Sequence, residues 1–260
     1  MGKEQLHIIK IGGNVINDEI ALHDFLIDFV KLSGKKILVH GGGKKASELL
    51  ASIGIEPKMI NGRRVTDEAT LEVVTMVYAG LINKNIVARL QNNNCNAIGL
   101  SGADGNSIKA HKRIVKAIDY GFAGDVDVVD TKTFKVLIKN ELVPVLCAIT
   151  HDKKGQLLNT NADTITSEVA TALASDYKVT VTYCFEKNGV LKDVNDNDSV
   201  IEHIDAKTYK SLKNKSFISD GMLPKLENCF YALHKGVSKI IIGHPSIISN
   251  KKQKYTTLIL

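Results

Sequence analysis

The 260-residue chain carries 44% hydrophobic and 24% charged residues, the balance of an ordinary globule with room for one large α/β domain or two lobes. Its net charge of +6 is spread over Lys35-Lys36, Lys44-Lys45, Lys153-Lys154 and Lys251-Lys252, and aromatics are only 5%, so nucleic acid is poorly served and small anionic substrates explain the excess equally well. No apolar run approaches the roughly 20 residues of a bilayer span, no signal peptide opens the chain, and Cys95, Cys147, Cys184 and Cys229 form no Cys-x-x-Cys pair; a cytoplasmic protein with reduced thiols and no protein-held metal is expected.

The first strand candidate, Leu6 to Ile11, contains Lys10 and runs straight into Gly12-Gly13-Asn14. Bare amides in a glycine turn form an anion-binding concavity, and the lysine adds a full charge, so phosphate is the natural guest; a tight turn is the plainer alternative. Asp18 to Leu32 places Ile20, Phe25, Leu26, Phe29 and Val30 near a 3.6-residue period and predicts a helix. Lys36 to His40, a second strand, leads into Gly41-Gly42-Gly43 and a helix from about Lys44, a second anion site suited to a carboxylate or acyl oxygen. Read as Gly41-x-Gly43-x-x-Ala46 it also fits a relaxed dinucleotide fingerprint. The acidic residue which that site needs about 20 positions later is replaced by Asn61-Gly62-Arg63-Arg64. Arg64 is either a bidentate partner for a carboxylate or a surface charge. Thr66 to Leu90 is the longest helical pattern, with Thr66 as N-cap and Asp67 and Glu68 in the first turn; its exposed side reads as an oligomer interface or a solvated face.

Asn96 to Ser101 is the next strand candidate. Alternation in Ile108 to Lys112 and Asp125 to Val129, around Gly121-Phe122-Ala123-Gly124, predicts a β-hairpin inserted in the α/β scheme. After the strand Leu142 to Ile149, the polar turn His151 to Gly155 suggests a boundary between lobes 1–155 and 156–260. If extended, Asn159-Thr160-Asn161-Ala162-Asp163 offers Asn159, Asn161 and Asp163 to one cleft, although any one of them could simply cap the helix that follows. Lys178 to Cys184 and Lys239 to Gly243 complete the strands. Between them Ser219-Asp220-Gly221-Met222-Leu223-Pro224-Lys225 opens a helix whose N-terminal Lys225 calls for an anion.

Seven segments in this order resemble the branch of the amino acid kinase family that phosphorylates N-acylated glutamate: Ile9 to Asn14, His40 to Gly43, Asn61 to Thr66, Gly99 to Gly105, Gly121 to Val126, Asn159 to Asp163 and Asp220 to Lys225. The resemblance covers nearly the whole chain. It implies an α/β fold, a three-layer αβα sandwich around an open, mainly parallel sheet, with an N-terminal lobe for the acylated amino acid and for dimerisation and a C-terminal lobe for ATP. It also implies transfer of the γ-phosphoryl of ATP to the substrate's γ-carboxylate, in arginine biosynthesis, with Mg²⁺ carried by the nucleotide phosphates. Lys10 and Lys225 would stabilise the transition state and Asp163 would orient both. Gly42, Gly43, Arg64, Asn159 and Asn161 would hold the acylated glutamate; Gly12, Gly13, Glu186, Gly189, Phe217, Ile218 and Ser219 would meet ATP.

Two segments depart from that pattern: Tyr183 to Leu191, where an aspartate usually meets the nucleotide, and the C-terminal Tyr255 to Leu260, which lacks a glycine-threonine pair. The early first strand leaves no N-terminal helix of the kind that builds arginine-inhibited hexamers, so a homodimer insensitive to arginine is expected. A succinylated substrate, another amino acid kinase, or a catalytically silent sensor on the same fold are the competing readings.

Overall fold

The most apolar stretches of the sequence form the middle of an eight-stranded sheet, as strands covered on both faces must. The computed structural model describes residues 2–214, 222–249 and 252–260. From edge to edge the sheet runs His203–Ile204, Thr256–Leu258, Lys239–Gly243, Lys178–Cys184, Gln5–Ile11, Lys35–His40, Val143–Leu146 and Ala97–Leu100. All neighbours are parallel except Lys239–Gly243 with Thr256–Leu258. Side chains alternate across it, so His7 and Ile9 face Leu32, Ile247 and Ile248, while Lys10 faces the helix Ala162–Leu173. Helices Glu19–Lys31 and Asn83–Asn92 pack together on the first side, and Thr131–Lys139, Ala162–Leu173 and Met222–His234 on the second. This is the expected αβα layering.

The helix predicted over Asp18 to Leu32 is Glu19–Lys31, and Asp18 caps it, accepting from the amides of Ile20 and Ala21 at 3.0 Å each. Its buried stripe is Leu22, Phe25, Leu26 and Phe29; Ile20, expected on that stripe, is 74% exposed, because it lies two positions from Leu22 and so roughly 200° round the helix. At the other end Lys36 Nζ donates to the carbonyls of Phe29, Val30 and Leu32 at 3.0, 2.7 and 2.8 Å, satisfying the last turn.

Four expectations are corrected. The strands Ile108–Lys112 and Ala123–Val129 do pair antiparallel, but as half of a closed four-stranded barrel completed by Ile149–His151 and Leu157–Thr160. The predicted strand Leu142 to Ile149 is therefore two: Val143–Leu146 stays in the main sheet and Ile149–His151 leaves for the barrel, with Cys147 N still bonded to Leu100 O and Ala148 O already taken by Thr160 N. The long helix is capped by Asp67, which accepts from Thr70 N at 2.8 Å, and not by Thr66, whose main chain is committed to Tyr120 and Phe122. That helix, Glu68–Asn92, contains a π-helical turn at Met76–Ile82. Finally, it is long and apolar enough to cross a bilayer, although no uninterrupted apolar run marked it, and much of it is buried inside the fold. Gly155, at φ +99°, sits in the turn between the barrel strands Ile149–His151 and Leu157–Thr160.

Candidate active site

Lys10 stands near the C-terminal end of its strand, in register with Tyr183 on one neighbour and Val39 on the other. Crossovers leave these adjacent strands on opposite faces of the sheet, and crevices at such switch points take ligands. Asp163, in the first turn of Ala162–Leu173, bridges two cations there: Lys10 Nζ lies 2.8 Å from Oδ1 and Lys225 Nζ 3.3 Å from Oδ2. Burial alone would push the Asp163 carboxyl up. The charges and hydrogen bonds of Lys10 and Lys225 outweigh it and hold the group at about 2, so it is ionised throughout the physiological range. One carboxylate facing two ammonium groups leaves a net positive charge for an anion.

Helix N-termini converge on the same place. Gly42 caps Gly43–Ser52 and Asn161 caps Ala162–Leu173, its Oδ1 accepting from the amides of Asp163 and Thr164 at 2.7 and 3.2 Å. The two ends are close: a Cβ on Gly41 would come within 3.9 Å of Ala162 Cβ. Asn161 thus serves as a cap: the strand ends at Thr160, the extended backbone at Asn161, and Asp163 already belongs to the helix.

Gly42, Gly43, Arg64, Asn159 and Asn161, five residues singled out from the sequence, line one cavity of about 200 Å³. Arg64 follows a two-residue turn, Asn61-Gly62, in which both φ values are positive (50° and 72°), the geometry that closes the small hairpin Met59–Ile60/Arg63–Arg64. Arg64 is 8% exposed, and its guanidinium donates to Gly43 O at 2.8 Å and Ser47 Oγ at 2.7 Å. Arg64 Nη1 is buried with no hydrogen-bond partner among the described residues. A buried guanidinium nitrogen without an acceptor is costly unless an incoming carboxylate supplies one. Asn159 Nδ2 donates to Thr66 Oγ1 at 3.0 Å, which ties the barrel to the start of the long helix.

Sequence reasoning missed four contributors. Tyr78 and Ile82 back the glycine turn so closely that a Cβ on Gly42 would lie 2.8 Å from Tyr78 Cδ1 and 2.5 Å from Ile82 Cδ1. His40, wholly buried, holds Gly41 O through Nδ1 at 2.8 Å and Asn83 Nδ2 through Nε2 at 3.0 Å. Arg113 lines the cavity beside Arg63 and pairs with both carboxylate oxygens of Asp125. Only the position of His40 before three glycines, and a polar ring in an apolar helix at Tyr78, signalled them.

The residues expected to meet the nucleotide are less gathered. Gly12 lies beside Lys10, whose Nζ would be 3.9 Å from a Cβ there, and Gly13 starts a short helix. Glu186 is bonded by Asn14 Nδ2 and lines a separate cavity of about 700 Å³ with Phe25, Phe185 and His244. Gly189 packs against Thr256 and Val200, where a Cβ would lie 2.7 Å from Thr256 Oγ1. Phe217, Ile218 and Ser219 lie outside the described residues.

The profile of the amino acid kinase family matches residues 5–244. The chain is 54% identical over 247 residues to an acetylglutamate kinase of Phocaeicola vulgatus, covering 95% of this chain and 96% of that one. It is 53% identical over 240 residues to an acetylglutamate kinase of Cytophaga hutchinsonii, covering 92% and 91%. Among solved structures, carbamate kinase from Giardia lamblia bound to AMP-PNP superposes with a TM-score of 0.68 at 16% identity, covering 99% of this chain and 98% of that one.

Proposed function

The chain belongs to the amino acid kinase family, and on that premise we propose that it transfers the γ-phosphoryl group of ATP to the γ-carboxylate of N-acetyl-L-glutamate, giving an acyl phosphate and ADP in arginine biosynthesis. The single observation that carries the reading is the Lys10–Asp163–Lys225 bridge beside a cavity lined by Arg64, whose buried Nη1 has no acceptor among the described residues.

The attacking carboxylate is ionised at neutral pH and needs no general base. Catalysis then consists of holding two anions in line and neutralising the transferring phosphoryl oxygens. Lys10, from the 1–155 lobe, and Lys225, from the 156–260 lobe, supply the charge; Asp163 fixes the distance between them. Arg64 takes the α-carboxylate, Asn159 the amide, and the amides of Gly42 and Gly43 the acyl oxygen. Gly12 and Gly13 support the phosphates, and Glu186, Gly189 and the segment 217–219 lie toward the nucleoside. The Mg²⁺ that accompanies ATP would be held largely by its phosphate oxygens.

A second reading is favoured by one observation. Arg63 and Arg113 line the acylglutamate cavity in addition to Arg64 and also line an adjoining cavity of about 550 Å³ with His111 and Lys116. An acyl chain ending in a carboxylate, as in N-succinyl-L-glutamate, would find cations there. The working unit is a homodimer in the cytoplasm, formed over the exposed apolar side chains of the long helix.

Coupled ADP release with N-acetyl- and N-succinyl-L-glutamate side by side tests the function and the acyl group together. Lys10→Met should lower kcat by at least about 100-fold while the acylated glutamate still binds by calorimetry. Near-normal kcat in that variant would remove Lys10 from the mechanism, and no ADP release with either substrate would remove the function.

A further inference from the structure

Tyr183 and Phe185, in the segment that departs from the family pattern, turn their rings toward Lys225. Its Nζ lies 5.9 Å from the Tyr183 ring centroid and 5.4 Å from that of Phe185, both inside the roughly 6 Å range of cation–π attraction. With Asp163 Oδ2 at 3.3 Å, the ammonium thus has one carboxylate oxygen and two aromatic rings around it. Tyr183 is itself anchored. It is 2% exposed, its hydroxyl pairs with that of Ser167 at 2.8 Å, and it donates to Asp163 O at 3.4 Å. The ring therefore grips the helix turn that carries Asp163 at the same time as it meets Lys225.

We propose that Tyr183 and Phe185 are positioning residues that hold the Lys225 ammonium in the path of the transferring phosphoryl group. The proposal rests on the reading of Lys225 as a catalytic group. Asp163 is shared and lies nearer Lys10, so it alone leaves Lys225 on a flexible four-carbon stem. A second carboxylate would restrain that stem but would also cancel the charge the phosphoryl oxygens need. A ring quadrupole attracts the cation and carries no net charge, so the ammonium is held and its charge kept.

Phenylalanines with one, two and three ring fluorines at position 185 test this, because fluorine drains the ring face with little change in size. The expected result is a stepwise fall in kcat, reaching about 5- to 30-fold at three fluorines, with KM for the acylated glutamate within about twofold and the melting temperature unchanged. Phe185→Leu should fall at least as far and Phe185→Trp should recover most of the loss. Tyr183→Phe, which keeps the ring and loses the hydroxyl, should keep a larger share of kcat than Tyr183→Leu at matched folded fraction by circular dichroism. A kcat flat across the fluorine series, or one that falls only in step with melting temperature, would overturn the role of the rings while leaving the function standing. An unmodified protein that releases no ADP with either acylated glutamate would instead overturn the function, and the role of Lys225 with it.

Discussion

His40 shows how much one buried side chain can specify. A carbonyl can only accept, so the 2.8 Å contact with Gly41 O puts the proton on Nδ1, and Nε2 is left to accept from Asn83 Nδ2, which donates also to Val145 O at 3.0 Å. A second proton would set Nε2–H against an amide hydrogen inside the core. Burial pushes the imidazole down to about 4, against the opposing pull of the Gly41 carbonyl. Because the folded value lies below the unfolded one of about 6.5, the unfolded chain binds more protons between them. Stability from this group is therefore complete above about pH 6.5 and is lost as pH falls toward 4. The loss from pH 7 to pH 4.5 should be about 2–3 kcal/mol. His7, half-buried and lowered by burial and then by Lys239 and Lys36, titrates in the same direction, so the raw slope is not specific. The measurement is urea unfolding of the wild type and of His40→Gln at several pH values. The wild type should converge on the variant as the pH drops, and parallel curves would show that His40 takes up no proton on unfolding.

At the level of elements, the glycine turn owes its shape to the helix behind it. Five residues along a regular α-helix rotate a side chain by about 140°, which would send Asn83 away from the face that carries Tyr78. The π turn at Met76–Ile82 winds more slowly, and Tyr78 and Ile82 reach Gly42 while Asn83 reaches His40. Gly42→Ala should therefore raise KM for the acylated glutamate by about 10-fold or more and destabilise by about 1–3 kcal/mol, with KM for ATP little changed. Shortening Ile82 to Ala in the same protein should recover part of the affinity; an unaltered KM in the single variant would show that the turn has room. None of this was legible in the sequence. A strand, a glycine turn and a helix start announce themselves locally, which is why Lys10-Ile11-Gly12-Gly13 and His40 to Gly43 could be read directly and the resemblance could assign their roles. The π turn has no local signature, and the barrel depends on distant pairings such as Lys109 with His151 and Asn159 with Ala123. Arg64 was legible as a candidate, but its support from Gly43 and Ser47 is a tertiary fact.

On the scale of the molecule, the strand Gln5–Ile11 pairs with Lys35–His40 from the N-terminal portion and with Lys178–Cys184 from the C-terminal one, so the proposed lobes share a single sheet. The outer side of the long helix leaves Met76 57% and Leu81 50% exposed, and the helix Gly43–Ser52 that packs on it, with its C-cap, leaves Leu49 37% and Ile53 54% exposed. An apolar set of this kind, gathered on two packed elements, is covered most simply by a second copy of itself about a twofold axis. Met76→Glu combined with Leu81→Glu would place four carboxylates in such an interface and should split it, halving the light-scattering mass to that of one 28.4 kDa chain with the far-ultraviolet spectrum retained. The same π turn carries Met76 and Leu81 outward and Tyr78 and Ile82 inward, so the separated chain should also bind acylated glutamate several-fold more weakly. A wild type already monomeric at micromolar concentration would overturn the dimer. A double variant that separates with unchanged substrate affinity would uncouple the interface from the glycine turn and leave the dimer standing.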